Sequence, residues 1–213
     1  QHSRRDRGGG RGGDRRNDRM RTMGGRTGGI TFPKKGADLY LPPPPNEDTV
    51  RIIPLGGVEE VGRNMTVVET NNDIFIVDVG FQFVPEDDAP GVDYILPNTR
   101  YLEENKHRIT AIFITHGHLD HIGGVPFILN RIGNPPIYTR YITSLMLKKR
   151  QEEYPQLPPL NIHVMEEGER VKVGSTYVKS FPVTHSIPDS MGISIETKHG
   201  NVLLTGDLKL NHV

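Results

Sequence analysis

Hydrophobic positions change their spacing several times along the chain, and each change marks an element. Val50 to Leu55 is a short strand-like run, broken by Gly56-Gly57. Met65–Glu69 and Ile74–Asp78 are two further runs, joined by the turn-forming Asn71-Asn72-Asp73, and predict a hairpin. Ile109–Ile114 is nearly all apolar, which predicts a strand buried on both faces. From His121 to Ile132 the apolar residues Ile122, Val125, Ile128, Leu129 and Ile132 fall at helical spacing. A second helix is predicted over Tyr141–Glu153, and a short one over Tyr101–His107, with Thr99 as its cap. Strand-like runs follow near Ile162–Met165, Arg170–Val173, Tyr177–Pro182, Gly192–Glu196 and Asn201–Leu204. Residues 80–100, with Pro85, Pro90 and Pro97, are expected to form one long loop. Many strands, short turns and few helices predict a sheet-rich α/β domain over residues 50–213, without a 20–50-residue repeat.

Composition divides the chain into unlike parts. The sequence has 213 residues, 26 basic and 26 acidic, with no Cys. Without cysteine there is no disulfide scaffold, thiolate zinc site or cysteine nucleophile. No run of 18 apolar residues and no apolar leader is present, so a cytoplasmic, non-membrane protein is expected. Residues 1–35 hold eleven Lys and Arg against three Asp, a net of +8, which leaves −8 for the remainder. Arg and Gly dominate that basic tail. It has too little apolar surface to offset its conformational entropy and should be disordered. Its Arg side chains suit nonspecific, salt-sensitive contact with RNA phosphates; a solvated tail that aids solubility is the alternative. Residues 36–49 form a linker whose Pro42–Pro45 run favours a stiff polyproline II spacer.

The chemistry concentrates in Thr115-His116-Gly117-His118-Leu119-Asp120-His121, directly after the predicted buried strand. Three imidazoles and a carboxylate within six residues, beside a buried strand, would be costly without a compensating cation. In an extended loop His116 and His118 face the same side, and Asp120 and His121 follow where the chain turns into the helix. Imidazole and carboxylate donors suit Zn²⁺, with Mn²⁺ as the alternative. His185 and Asp207 both end predicted strands. Alone, a single His is commonly structural and a single Asp commonly a cap, but strand ends converge on one rim, where both become metal ligands. The resulting division gives one cation to His116, His118 and His185, and a second to Asp120 and His121, with Asp207 bridging. Two such ions, roughly 3.5–4 Å apart, can lower the pKa of a shared water to give hydroxide and neutralise an attacked phosphate. Asp120, His121 and Asp207 are thus the candidate catalytic residues. Asp78, at the end of another strand, is expected to orient a ligand imidazole from behind; a turn cap is the alternative.

These residues resemble the metallo-β-lactamase superfamily, whose HxHxDH loop matches His116–His121 at every position. Within it, the stretches Pro54–Met65, Thr99–Asn105, Ile112–His118, Phe181–Ser190 and Leu204–Asp207 are similar to the ribonuclease J group. The resemblance covers about residues 50–211. It implies an αββα sandwich, two zinc ions and hydrolytic cleavage of RNA, both endonucleolytic and 5′-to-3′ exonucleolytic, in RNA processing (rRNA included) and decay. It also implies 5′-phosphate and 3′-hydroxyl products and a homodimer or homotetramer. Asn64 and Ser186 lie in the family-like stretches and are candidate substrate contacts, with a turn role the alternative for Asn64. The family carries a β-CASP insert and a C-terminal part after the Asp207 region, including a further histidine ligand. This sequence is therefore expected to be the N-terminal part of the fold, with His212 no substitute for that ligand. Two rivals stay open: a small-molecule metallo-hydrolase of the same superfamily, such as a thioesterase or lactonase, and a noncatalytic RNA-binding fragment.

Overall fold

The computed structural model describes residues 49–210. The basic tail 1–35, the linker apart from its last residue, and His212 lie outside the described residues. In chain order the strands are β1 (Arg51–Gly56), β2 (Met65–Thr70), β3 (Asp73–Val77), β4 (Gln82–Phe83), β5 (Tyr94–Ile95), β6 (Ile109–Phe113), β7 (Ile137–Thr139), β8 (Ile162–Val164), β9 (Arg170–Val173), β10 (Thr176–Pro182), β11 (Met191–Thr197) and β12 (Gly200–Leu204). The helices are α1 (Arg100–Glu104), α2 (Leu119–Ile122), α3 (Val125–Ile128) and α4 (Tyr141–Gln151).

Two sheets carry the fold. A mixed six-stranded sheet runs β1-β2-β3-β6-β7-β8, antiparallel up to β3 and parallel beyond it. An antiparallel four-stranded sheet runs β12-β11-β10-β9. Alternation along β3 explains how they stack. Ile74 and Ile76 face a core shared with residues of all four helices, among them Leu102, Ile122, Ile128 and Leu147. Phe75 and Val77 face the second sheet, meeting Val178, Met191 and Ile193. Side chains alternate with period two, so a strand between two apolar layers is apolar throughout. Truncating such a side chain (Phe75→Ala) costs about 3–5 kcal/mol. Helices, large sheet and small sheet therefore form the first three layers of the expected αββα sandwich; no helix among the described residues covers the outer face of the small sheet.

Several sequence expectations need correcting. The predicted helix His121–Ile132 is two short helices. The Gly124 N–H donates to Val79 O (2.9 Å) instead of continuing the helical ladder, so a bond to another segment breaks the run. Loop 80–100 contains the small β4–β5 hairpin, pinned by stacking of Phe81 on Tyr94 (centroids 5.1 Å apart). Strand β7 was not legible, because Ile137-Tyr138-Thr139 is too short to show a period. Thr99 precedes α1, but its hydroxyl donates to the Glu103 carboxylate (2.7 Å) and makes no side-chain bond to the helix backbone. Among the basic residues of α4, Lys149 pairs with Glu152, and Arg150 lies over the Phe81 and Tyr154 rings.

Candidate metal centre

The site sits just beyond the C-terminal ends of β3, β6, β10 and β12, which supply Asp78, the loop 115–121, His185 and Asp207 respectively. A main-chain bond stitches two of these segments together: the Val79 N–H donates to His121 O (2.8 Å). Two more tie the large sheet's loop to the small sheet, from Met191 N to Thr115 O (2.9 Å), and one loop of the small sheet to another, from Lys209 N to Thr184 O (2.7 Å).

Three imidazoles meet first. His116 Nε2 lies 3.0 Å from His118 Nδ1, and His185 Nε2 lies 3.1 Å from that same atom. His121 points at the neighbouring space, with its Nε2 3.5 Å from Asp207 Oδ1 and 3.6 Å from Asp120 Oδ2. Asp207 also reaches the first group, its Oδ2 standing 3.8 Å from His185 Nε2. Two overlapping donor clusters result, His116–His118–His185 and His116–His121–Asp207.

Asp78 orders both clusters from behind. Its backbone takes a left-handed conformation (φ 63°), which Asp tolerates better than most residues. Its Oδ2 accepts from His121 Nδ1 at 2.8 Å. A carboxylate only accepts, so the proton is on Nδ1 and the Nε2 lone pair is free. Asp78 also accepts from the Thr115 hydroxyl (2.9 Å to Oδ2) and the Thr115 N–H (2.8 Å to Oδ1). With its own proton committed to Asp78, the Thr115 oxygen accepts from His116 Nδ1 at 3.0 Å. The His116 Nε2 lone pair is freed in the same way. One buried carboxylate thus selects the tautomer of two imidazoles.

The donor geometry fits a cation. Nitrogens held at the usual distance from a tetrahedral Zn²⁺ lie roughly 3.3 Å apart. The 3.0–3.1 Å spacings among His116, His118 and His185 are close to that value. Nε2 of His116 and of His185 both turn toward His118 Nδ1, and three bare lone pairs at this spacing repel unless something positive lies between them. Electrostatics keeps the His116 and His185 lone pairs available. Burial first, then the neighbouring imidazoles, holds the His116 pKa down to about 4. Burial also lowers that of His185, against the pull of Asp207. For His121, burial acts downward, but the charge and hydrogen bond of Asp78, helped by Asp120 and Asp207, outweigh it and raise the pKa.

A cavity of about 300 Å³ opens beside the donors, lined by Asn64, Asp78, His121, Gly206 and Asp207 among others. Asn64 reaches the donors directly, with Nδ2 3.1 Å from Asp120 Oδ2. Ser186 is exposed next to His185 in the chain. Sequence reasoning overlooked Thr115, although a hydroxyl immediately before a ligand-type His was the available signal. It also overlooked Arg140 and Asp189. Arg140 Nε donates to Asp189 Oδ1 (2.8 Å), and the Ile142 N–H donates to Asp189 Oδ2 (3.0 Å). This clamp ties the loop carrying His185 to the first turn of α4. Nothing in the one-dimensional spacing of residues 140 and 189 reveals it.

The chain is similar to known proteins. Over 171 residues the chain is 42% identical to ribonuclease J of Thermus thermophilus, a match covering 78% of this chain and 30% of that protein. It is also 42% identical to ribonuclease J of Corynebacterium glutamicum over 181 residues, covering 83% of this chain and 25% of that protein. The chain therefore spans 25–30% of the length of these curated relatives. Among solved structures, a protein of unknown function from Enterococcus faecalis has the same fold (TM-score 0.57, 21% identity, 76% of this chain and 44% of that one). The sequence model of the metallo-beta-lactamase superfamily matches residues 58–212, which include every donor described above. Its layered sheets, strand-end donors and matched sequence make the chain a member of the metallo-β-lactamase superfamily.

Proposed function

We propose that this chain carries the metal centre of a ribonuclease that hydrolyses RNA phosphodiesters, as an endonuclease and a 5′-to-3′ exonuclease. The observation that carries this reading is the pair of adjoining donor clusters on a chain 42% identical to ribonucleases J. His116, His118 and His185 would hold one divalent cation and Asp120 and His121 the other, with Asp207 between them. Zinc suits this nitrogen-rich donor set, with manganese the alternative. When bound, the cation pair supplies Lewis acidity that activates water and offsets charge on the attacked phosphate.

The chain's own residues do the rest. Asp78 and Thr115 fix the proton of the neutral imidazoles on Nδ1 of His121 and His116, which turns each Nε2 lone pair to the cation side. Asp120, His121 and Asp207 face the space where the scissile phosphate is held. Water adds to phosphorus and gives up a proton, the bond to the 3′ oxygen breaks, and that oxygen takes up a proton from solvent and leaves as a hydroxyl, so the downstream product keeps a 5′-phosphate. Ser186, exposed beside His185, contacts substrate on this reading. The Arg/Gly tail adds affinity for RNA. A cytoplasmic homo-oligomer acting in RNA processing and decay is the setting we infer. No helix among the described residues is long and apolar enough to cross a membrane.

The test is cleavage of a 5′-monophosphorylated RNA by metal-loaded protein, set against a thioester and a lactone. RNA cleavage that His118→Ala abolishes, with RNA binding retained, supports the reading. Turnover of the thioester or lactone alone favours a small-molecule hydrolase. Binding without cleavage favours a noncatalytic RNA-binding fragment. Removal of residues 1–35 should lower RNA affinity and flatten its salt dependence, because fewer phosphate contacts release fewer counterions.

A further inference from the structure

The Asn64 amide nitrogen is already committed. Its Nδ2 donates to Asp120 Oδ2 at 3.1 Å and lies 3.1 Å from His121 Nε2. Nε2 has a single lone pair, so a cation on His121 takes it from the amide, and the bond to Asp120 is the one that stays. The main chain of Asn64 is held as firmly. Its N–H donates to Asp120 O (3.0 Å), and its carbonyl accepts from Gly80 N (2.9 Å). The packing permits no drift. A Cβ at Gly80 would lie 1.6 Å from Asp120 O, and a Cβ at Gly57 would lie 2.3 Å from Asn64 Oδ1. Both glycines let three segments close on one point, with the Asn64 amide at its centre. Asp120 needs such a hold, because its side chain is 34% exposed and would otherwise turn freely into solvent.

We propose that Asn64 is a positioning residue for the second cation. It holds the Asp120 carboxylate in one orientation, with Oδ2 beside His121 Nε2, so that the two donors are aimed before the cation arrives. The inference rests on the reading above that Asp120 and His121 share a cation. A free carboxylate must lose its rotational freedom on binding; one already fixed by an amide donor does not.

Titrating the chelator-stripped full chain with Co²⁺, by calorimetry and visible absorption, tests this without recourse to activity. The wild type should show two binding events. Asn64→Leu keeps the size of the side chain and removes its donors. The second event should weaken at least tenfold while the first changes less than twofold. In an Asp120→Ala background, Asn64→Leu should add less than twofold. Two events of unchanged affinity in Asn64→Leu would overturn the proposal alone, as would a further tenfold loss in the Asp120→Ala background. A wild type with one event would overturn the two-cation reading and this proposal with it. A measurement free of any variant is the ¹⁵N spectrum of the wild type during Zn²⁺ titration. The Asn64 side-chain amide signals should move with the second equivalent and not the first; a shift complete at one equivalent, or none, would overturn the assignment.

Discussion

Asp78 Oδ2 and His121 Nδ1 lie 2.8 Å apart, both side chains buried, and this bond decides which nitrogen of His121 can meet a cation. Replacing the carboxylate by an amide keeps the size and the tolerance for a left-handed backbone, but removes the charge and the fixed acceptor. Asp78→Asn should lower divalent-metal affinity about 10–100-fold, as loss of a partner behind a ligand typically does. Calorimetric titration of stripped protein checks it, and wild-type affinity in the variant would count against the role.

Thr115 transmits the same control to His116. Thr115→Val preserves shape in the core but leaves His116 Nδ1 without its acceptor, at a cost of about 1–3 kcal/mol for an unpaired buried polar group. Metal affinity should fall roughly tenfold on the strength of that tautomer loss. Thr115→Ser should recover most of it, which separates a hydroxyl effect from a packing effect.

The Arg140–Asp189 clamp makes a prediction about stability as well as metal. Both side chains are more than four-fifths buried. Asp189→Ala removes the charge partner of a largely buried guanidinium, which keeps its bond to Met165 O, and uncaps the Ile142 N–H; it should destabilise the protein by about 3 kcal/mol in urea unfolding. Metal affinity should drop with it, since His185 lies on the released loop. If stability falls with metal affinity untouched, the clamp serves the fold alone.

Acid should destabilise the metal-free chain through His116. Its pKa is about 4 when folded, against 6.5 ordinarily. Between those values the unfolded chain binds the extra proton, so this contribution is complete above 6.5 and is lost as pH falls toward 4. The raised pKa of His121 acts in the other window: its contribution is complete below 6.5 and is lost as pH rises through the higher folded value. Urea unfolding in chelator across pH 4–6.5 should show a slope that His116→Gln reduces. An unaltered slope would place the proton uptake elsewhere.

A bound cation should add to this stability by mass action. At a free concentration 100 times its dissociation constant the gain is about 2.7 kcal/mol. Thermal unfolding with and without chelator measures it, and the gain should shrink in His118→Ala.

Much of this site could be read from the chain itself, for a physical reason. Four of the donors sit within six residues, and such a density of ionisable groups next to an apolar strand has few uses other than holding a cation. The strands were legible where apolar runs were long, as in Ile109–Ile114, or where a turn separated two runs, as at Asn71–Asp73. His185 and Asp207 gained their meaning only through that loop, because strand ends gather on one rim.

The tertiary structure decided what depends on neighbours distant in sequence. Only the fold brings the Asp78 carboxylate to both Thr115 and His121, and so sets two tautomers at once. A bond from the Gly124 N–H to the Val79 carbonyl, not any local propensity, interrupts the expected helix. The commitment of the Asn64 amide to Asp120 and the Arg140–Asp189 clamp join residues 56 and 49 positions apart. Composition and periodicity describe each segment's own preferences, whereas these bonds follow from where packing brings the segments together.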